Sequence, residues 1–191
     1  MDARSGVVAE LTAEHARIRS LFDRIRAARP GGTERTELVE RAAAALVRHS
    51  VAEKARLYPA VRRCVPDGDE RVERELRAHR EVEELLAALT AADPAGEEFT
   101  ELLVAVVARV TRQFVEQEQT LFPRLEAGCP EEVLRDLGDQ VRATEASAPA
   151  RPRPSAPDAA PLVRLTAQVW GPLDRLRDRS GRRGRRWRTG A

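Results

Sequence analysis

The only three histidines of the chain, His15, His49 and His79, occupy positions from which they can share one interior with a carboxylate. His49 and Glu53 are spaced i, i+4, so on a helix they project from the same face. Neutral imidazole and carboxylate are the donor types that hold iron, zinc, manganese or copper. An ionised Glu53 on an apolar face would forfeit several kcal/mol of hydration if left alone. Direct coordination of a cation removes that penalty. No glycine-rich phosphate loop, Ser-His-Asp set or Cys-His pair accompanies these residues, so the chemistry expected is cation binding rather than catalysis.

Four amphipathic segments must position them. The first runs from about Val7 to Ala28 with Val8, Leu11, His15, Ile18, Phe22 and Ile25 on one stripe. Pro30-Gly31-Gly32 stops it, and Thr33 is the expected N-cap of the second, which carries Leu38, Ala42, Leu46, His49, Glu53 and Leu57. Pro66-Asp67-Gly68 precedes the third, with Val72, Leu76, His79, Val82, Leu86 and Leu89. The fourth shows Phe99, Leu103, Val106, Val110, Gln113, Gln117 and Leu121. Short connections favour an all-α, up-down-up-down four-helix bundle. A fifth helix over about Glu131 to Glu145 is expected against one end. The domain reading is therefore a bundle over 1–147, followed by a tail over 148–191. That tail comprises a Pro/Ala-rich linker, a short amphipathic helix and a disordered end, SGRRGRRWRTGA.

Composition supports this division. Of 191 residues only 4% are aromatic while 34% are charged, which suits helices better than a sandwich or barrel. A net charge of +2 argues against nucleic-acid binding by the chain as a whole, and the arginine-rich end is read as coding bias. Cys64 and Cys129 form no CxxC pair and read as free thiols in a reducing compartment, with a disulfide as the less favoured option. With no signal peptide apparent and no run of about eighteen apolar residues, a soluble cytoplasmic protein is expected, with no membrane partner.

The bundle reads as a duplicated helical hairpin. An offset of 64 relates His15 to His79 and sets His49-Ser-Val-Ala-Glu53-Lys-Ala-Arg-Leu57-Tyr58-Pro59 over Gln113-Phe-Val-Glu-Gln117-Glu-Gln-Thr-Leu121-Phe122-Pro123. Proline is disfavoured inside a helix, so its recurrence at matched positions predicts an inherited kink. The offset also pairs His49 with Gln113 and Glu53 with Gln117.

His15 in LTAEHARI, His49 and Glu53 in VRHSVAEKARLYPAV, and His79 in LRAHREVEELL resemble the motifs of the hemerythrin-like HHE cation-binding proteins, over about Val7 to Leu125. The resemblance implies metal ligands at His15, His49, Glu53 and His79, with iron as cofactor (one or two ions) and zinc as the alternative. It further implies a partner such as dioxygen or another small molecule, bound or sensed at open coordination positions. Family members usually carry a His-x-x-x-Glu pair on the second and fourth helices. Here Gln113 and Gln117 stand in the fourth-helix positions, and an amide offers only a weak neutral oxygen. That departure predicts a partly degenerate, mononuclear site, or else a metal-free regulatory module in which Glu53 accepts hydrogen bonds from imidazoles. Three smaller expectations follow. Glu118, displaced about 100° from Gln117, should be solvated. Arg56 should bring positive charge towards the site. Tyr58 can hydrogen-bond near the site, but the matched Phe122 makes aromatic packing its main expected role.

Overall fold

A computed structural model describes residues 6–148, all of whose regular structure is helical. The helices are α1 (Val7–Ala27), α2 (Thr33–Ala52), α3 (Tyr58–Cys64), α4 (Gly68–Ala91), α5 (Glu97–Glu116), α6 (Phe122–Gly128) and α7 (Glu131–Ser147). α2 runs into α3, and α5 into α6, through single π-helical turns over Glu53–Leu57 and Gln117–Leu121. The result is four antiparallel rods, α1, α2–α3, α4 and α5–α6, plus α7. The tail expected beyond this point falls, apart from Ala148, outside the described residues.

The kink expected from the repeat takes the form of those widened turns. Pro59 and Pro123 each occupy the second position of the helix that follows a π turn. Each proline lacks an N–H and would press its ring against the carbonyl four residues back. The backbone answers by lengthening the bond before it: Tyr58 N–H reaches Glu53 O, and Phe122 N–H reaches Gln117 O, five residues back in both cases. The widened turns thus begin at the residues the repeat had already paired, Glu53 and Gln117. Extra residues of this kind are frequent at functional positions.

Two apolar clusters fill the bundle. One gathers Val8, Leu11, Leu57, Val61, Leu76, Leu121, Leu125 and the inner face of α7. The other gathers Ile18, Phe22, Leu46, Val82, Leu86, Val106, Val110 and Phe114. Between them lies a buried polar layer comprising His15, His49, Glu53, Glu75, His79, Gln113 and Gln117, none more than 8% exposed. Each histidine falls on its helix between a residue of one cluster and a residue of the other, which sets all three at one level.

Four local expectations need correction. Thr33 is the first residue of α2 rather than its cap; Gly32 precedes the helix and no side chain caps it. α7 does not sit across one end but lies along α1 and α2. It comes close because Gly138 has no side chain, and a Cβ there would stand 2.6 Å from the Gly6 carbonyl carbon. Arg56 is drawn to α7, donating to Thr144 Oγ1 at 3.0 Å and Gln140 Oε1 at 3.1 Å. Cys64 and Cys129 are not free thiols: they form a disulfide with Cα atoms 5.4 Å apart. The bond ties the end of α3 to the residue after α6, where the two hairpins meet. Gly128 permits that approach, since a Cβ there would lie 2.2 Å from the Cys64 carbonyl oxygen. The thiol argument for a reducing compartment falls with this bond.

Candidate metal centre

α1, α2 and the first π turn bring His15, His49 and Glu53 to one point, where one donor atom from each lies within 4.8 Å of the others. His15 Nε2 is 3.2 Å from His49 Nε2, and His49 Nε2 is 3.5 Å from Glu53 Oε1. Ligands about 2.1 Å from a tetrahedral cation stand roughly 3.4 Å apart, so two of the three edges already have the right length. His79 joins from α4 on the other side of the carboxylate, its Nε2 2.9 Å from Glu53 Oε2. Glu53 thus faces His49 with one oxygen and His79 with the other.

The protonation states of His15 and Glu53 suit ligation. Burial, reinforced by the charge of His49, lowers His15 to about 4, leaving it neutral with a lone pair to give. Burial alone would raise Glu53, but the positive character of His49 and His79 outweighs it and holds the carboxylate at about 2. Burial would lower His49, yet Glu53 and Glu145 prevail and raise it. Glu53 is fully buried, and its Oε1 has no hydrogen-bond partner among the described residues. A buried anionic oxygen facing two imidazoles is the donor a cation satisfies, so these residues fit a divalent metal.

Carboxylates behind the histidines orient them. Glu118 is not solvated as expected: its Oε1 accepts from His15 Nδ1 at 2.7 Å, and it also accepts from Arg19. This bond fixes the tautomer that turns Nε2 of His15 towards the site. The expectation failed because the buried face of α5–α6 is broader than one ridge. Glu118 lies one turn beyond Phe114, whose ring stacks on His15 with centroids 3.7 Å apart. On the far side of His49, Glu145 of α7 stands 3.7 Å from Nδ1. Tyr58 does more than pack: its hydroxyl donates to Glu53 Oε2 at 3.3 Å and lies against His79 Nε2.

The internal repeat extends into these contacts. Phe122 lies beside His15 and Tyr58 beside His79, each pair with centroids 5.7 Å apart. The His15–His49 approach of 3.2 Å is matched by His79 Nε2 to Gln113 Nε2 at 3.3 Å. The ion pair of Arg19 with Glu118 has its counterpart, with signs exchanged, in Glu83 with Lys54. Glu75 breaks the symmetry, for the offset places Leu11 opposite it. Its Oε2 accepts from Gln113 Nε2 at 3.0 Å and from Gln117 Nε2 at 2.9 Å. Burial and the charge of Glu53 raise its carboxyl. Glu75 had a signal in the sequence, its position four residues before His79. Glu145 had none, because nothing in a linear pattern tells where α7 docks.

A cleft of about 490 Å³ between α4 and α5 reaches Glu75 and Gln113, with Arg71, Arg74, Arg109 and Arg112 among its walls. It gives small molecules a path to the polar layer.

The hemerythrin HHE cation-binding domain family matches residues 6–125. The chain belongs to that family. An uncharacterized hemerythrin-like protein of Schizosaccharomyces pombe is 28% identical over 134 residues, 70% of this chain and 66% of that protein's length. The match thus falls just short of two thirds of the relative. No solved structure shows significant similarity to the chain. Among the described residues, no helix is long and apolar enough to cross a membrane.

Proposed function

We propose that the protein binds iron in the buried layer, through His15, His49 and Glu53 with His79 on the second carboxylate oxygen, and uses it to bind or sense a small molecule such as dioxygen. The observation that carries this reading is the convergence of three donor atoms within 4.8 Å around the unpartnered Oε1 of fully buried Glu53. The bound iron would supply a Lewis-acidic, redox-active centre with positions open to a small ligand. The chain's own residues hold it, exclude water and keep His15 neutral. Phe114 and Phe122 close the space beside His15. Glu118 holds the proton on Nδ1 of His15, so the lone pair of Nε2 remains available. Glu53 and Glu145 raise His49, so metal binding there should be coupled to proton release, increasingly so as pH falls. We read the protein as a binding or sensing module rather than an enzyme, on the strength of its cation-binding domain family. Zinc is the alternative occupant, since its donor preferences overlap.

A second reading, a metal-free helical module, is favoured by one specific observation. Glu53 Oε2 already has Tyr58 and His79 as partners, and the two glutamine amides are already paired with Glu75. Elemental analysis of protein purified without a histidine tag, as isolated and after anaerobic loading with Fe(II), separates the two. Stoichiometric iron lost in His49→Ala supports the first reading. Iron absent from both samples, or retained undiminished in His49→Ala, overturns it.

A further inference from the structure

The internal repeat has one groove covered and its counterpart open. The offset of 64 carries α1, α2 and α3 onto residues 71–91 of α4, onto α5 and onto α6, end for end. α7 lies along α1 and α2. Its Arg142 donates to Glu10 Oε2 on α1 at 3.1 Å, and its Glu145 stands 3.7 Å from Nδ1 of His49 on α2. The matched positions on α4 and α5 are Arg74 and Gln113, and both line the open cleft of about 490 Å³. An occupant of that cleft meets a guanidinium where α7 meets a carboxylate, which calls for the charge opposite to that of Arg142. Beside Gln113 it takes the place that the Glu145 carboxylate holds beside His49. Arg71, Arg109 and Arg112 add to the positive wall, and the four guanidinium groups outnumber the carboxyl groups of Glu75, Glu81 and Glu116 in the lining.

We infer that the cleft between α4 and α5 binds a small organic dianion bearing carboxylate or phosphate groups, one held among Arg74, Arg109 and Arg112 and the other directed to Gln113. The site goes beyond the proposed function and does not depend on iron being bound. Three observations support it besides the match to the α7 groove. Arg112 has no ion pair among the described residues, and Arg71 Nε is a buried donor without a partner, so the wall holds donors to spare. Arg71, Arg74 and Arg109 have single carboxylate partners, Asp67 at 2.9 Å, Glu70 at 2.6 Å and Glu81 at 2.5 Å, which leaves further N–H groups on each fork. A planar guanidinium matches carboxylate and phosphate oxygens two at a time, and gathered like charges focus an attractive field on an anion. The volume falls in the range of small-molecule sites. A second amphipathic helix is a poorer occupant. α7 buries Leu134, Leu137 and Val141 in its own groove, whereas the apolar lining of the cleft is Ala78 and Leu121.

Isothermal titration calorimetry of the full chain with glutarate and with 3-phosphoglycerate, at constant physiological ionic strength, tests this, with glutaramide as the uncharged control. Saturable binding of either dianion at one site per chain, and none of glutaramide, supports the inference; the tighter of the two identifies the preferred head group. Arg112→Gln should weaken binding by roughly 10-fold, the scale of one charge-assisted contact. Glu81→Gln should tighten it roughly two- to fivefold, because it removes a carboxylate from the lining and releases Arg109. That gain cannot come from a damaged fold, and circular dichroism checks Arg112→Gln. Absence of saturable binding to wild type overturns the inference and leaves the proposed function intact. Binding undiminished in Arg112→Gln overturns it as well, since the anion then sits at the metal or on the arginine-rich end of the chain. Equal binding of glutaramide removes the role of charge and also overturns it.

Discussion

Replacing Glu118 with alanine isolates the part of the account that the sequence hid. His15 is fully buried, and its Nδ1 has one acceptor, the carboxylate of Glu118 at 2.7 Å. Loss of that acceptor leaves the ring free to take the other tautomer and to rotate, so Nε2 is presented to the metal only part of the time. Removing such an outer partner of a ligating histidine costs roughly 10- to 100-fold in metal affinity, or about 1.4–2.7 kcal/mol. The cost to the metal-free fold is smaller. A hydrogen bond to a charged group contributes about 1.5–3 kcal/mol when buried, and the 24% exposure of the Glu118 side chain discounts this towards about 1 kcal/mol. Affinity is measured by Co(II) competition against a chromophoric chelator, and stability by thermal unfolding in EDTA. Glu118→Gln should recover much of the affinity, since its amide oxygen still accepts from Nδ1–H. Affinity within twofold of wild type in Glu118→Ala, or no difference between the two variants, would refute the orienting role.

Other outcomes follow from the same structure. Reduction of the Cys64–Cys129 bond, or Cys129→Ser, should lower stability by about 4 kcal/mol, the chain-entropy figure for a loop closed across 65 residues, and a urea titration with and without dithiothreitol will show it. Gly128→Ala should destabilise the fold even after reduction, because its Cβ meets the Cys64 carbonyl rather than the sulfur; an unchanged urea midpoint would contradict this. The metal-free protein should weaken in mild acid. The unfolded chain protonates His15 near 6.5 and the folded one only near 4, so up to about 3 kcal/mol is lost as pH falls through that window. The raised His49 acts with the opposite sign, contributing stability below 6.5 that is lost as pH rises through its folded value. Together they place the stability maximum near neutrality, and urea unfolding across pH in EDTA tests it. Tyr58→Phe, by removing the donor to Glu53 Oε2, should weaken the metal-free fold by about 1 kcal/mol while leaving Co(II) affinity at the His15 half nearly unchanged.

The helical periodicity exposed the four rods and their shared polar level because it is a local property of the chain. The offset of 64 went further: from the matched prolines it foretold the kinks, and from the pairing of His49 with Gln113 the amide that faces His79. Contacts made by tertiary docking escaped it. Glu118 was misread because one idealised ridge was taken for the whole buried face, which Phe114 widens. Glu145 and the partners of Arg56 depend on α7 lying along α1 and α2, a position set by Gly138 against Gly6 that no periodicity reveals. The disulfide was missed for a related reason. The repeat nearly superimposes Cys64 on Cys129, at 65 rather than 64, but only the fold shows that the two hairpin ends face each other.

The central claim is that His15, His49 and Glu53 hold a cation in the folded state. Thermal unfolding of the untagged protein in EDTA and at a hundredfold excess of free Fe(II) over the dissociation constant, under anaerobic conditions, tests it most directly. Binding to the folded state alone should add about 2.7 kcal/mol, or roughly 5–10 °C in Tm for a domain of this size, and His49→Ala should abolish the increment. The same Tm with Fe(II) and with EDTA, or a rise of equal size in His49→Ala, would contradict the account.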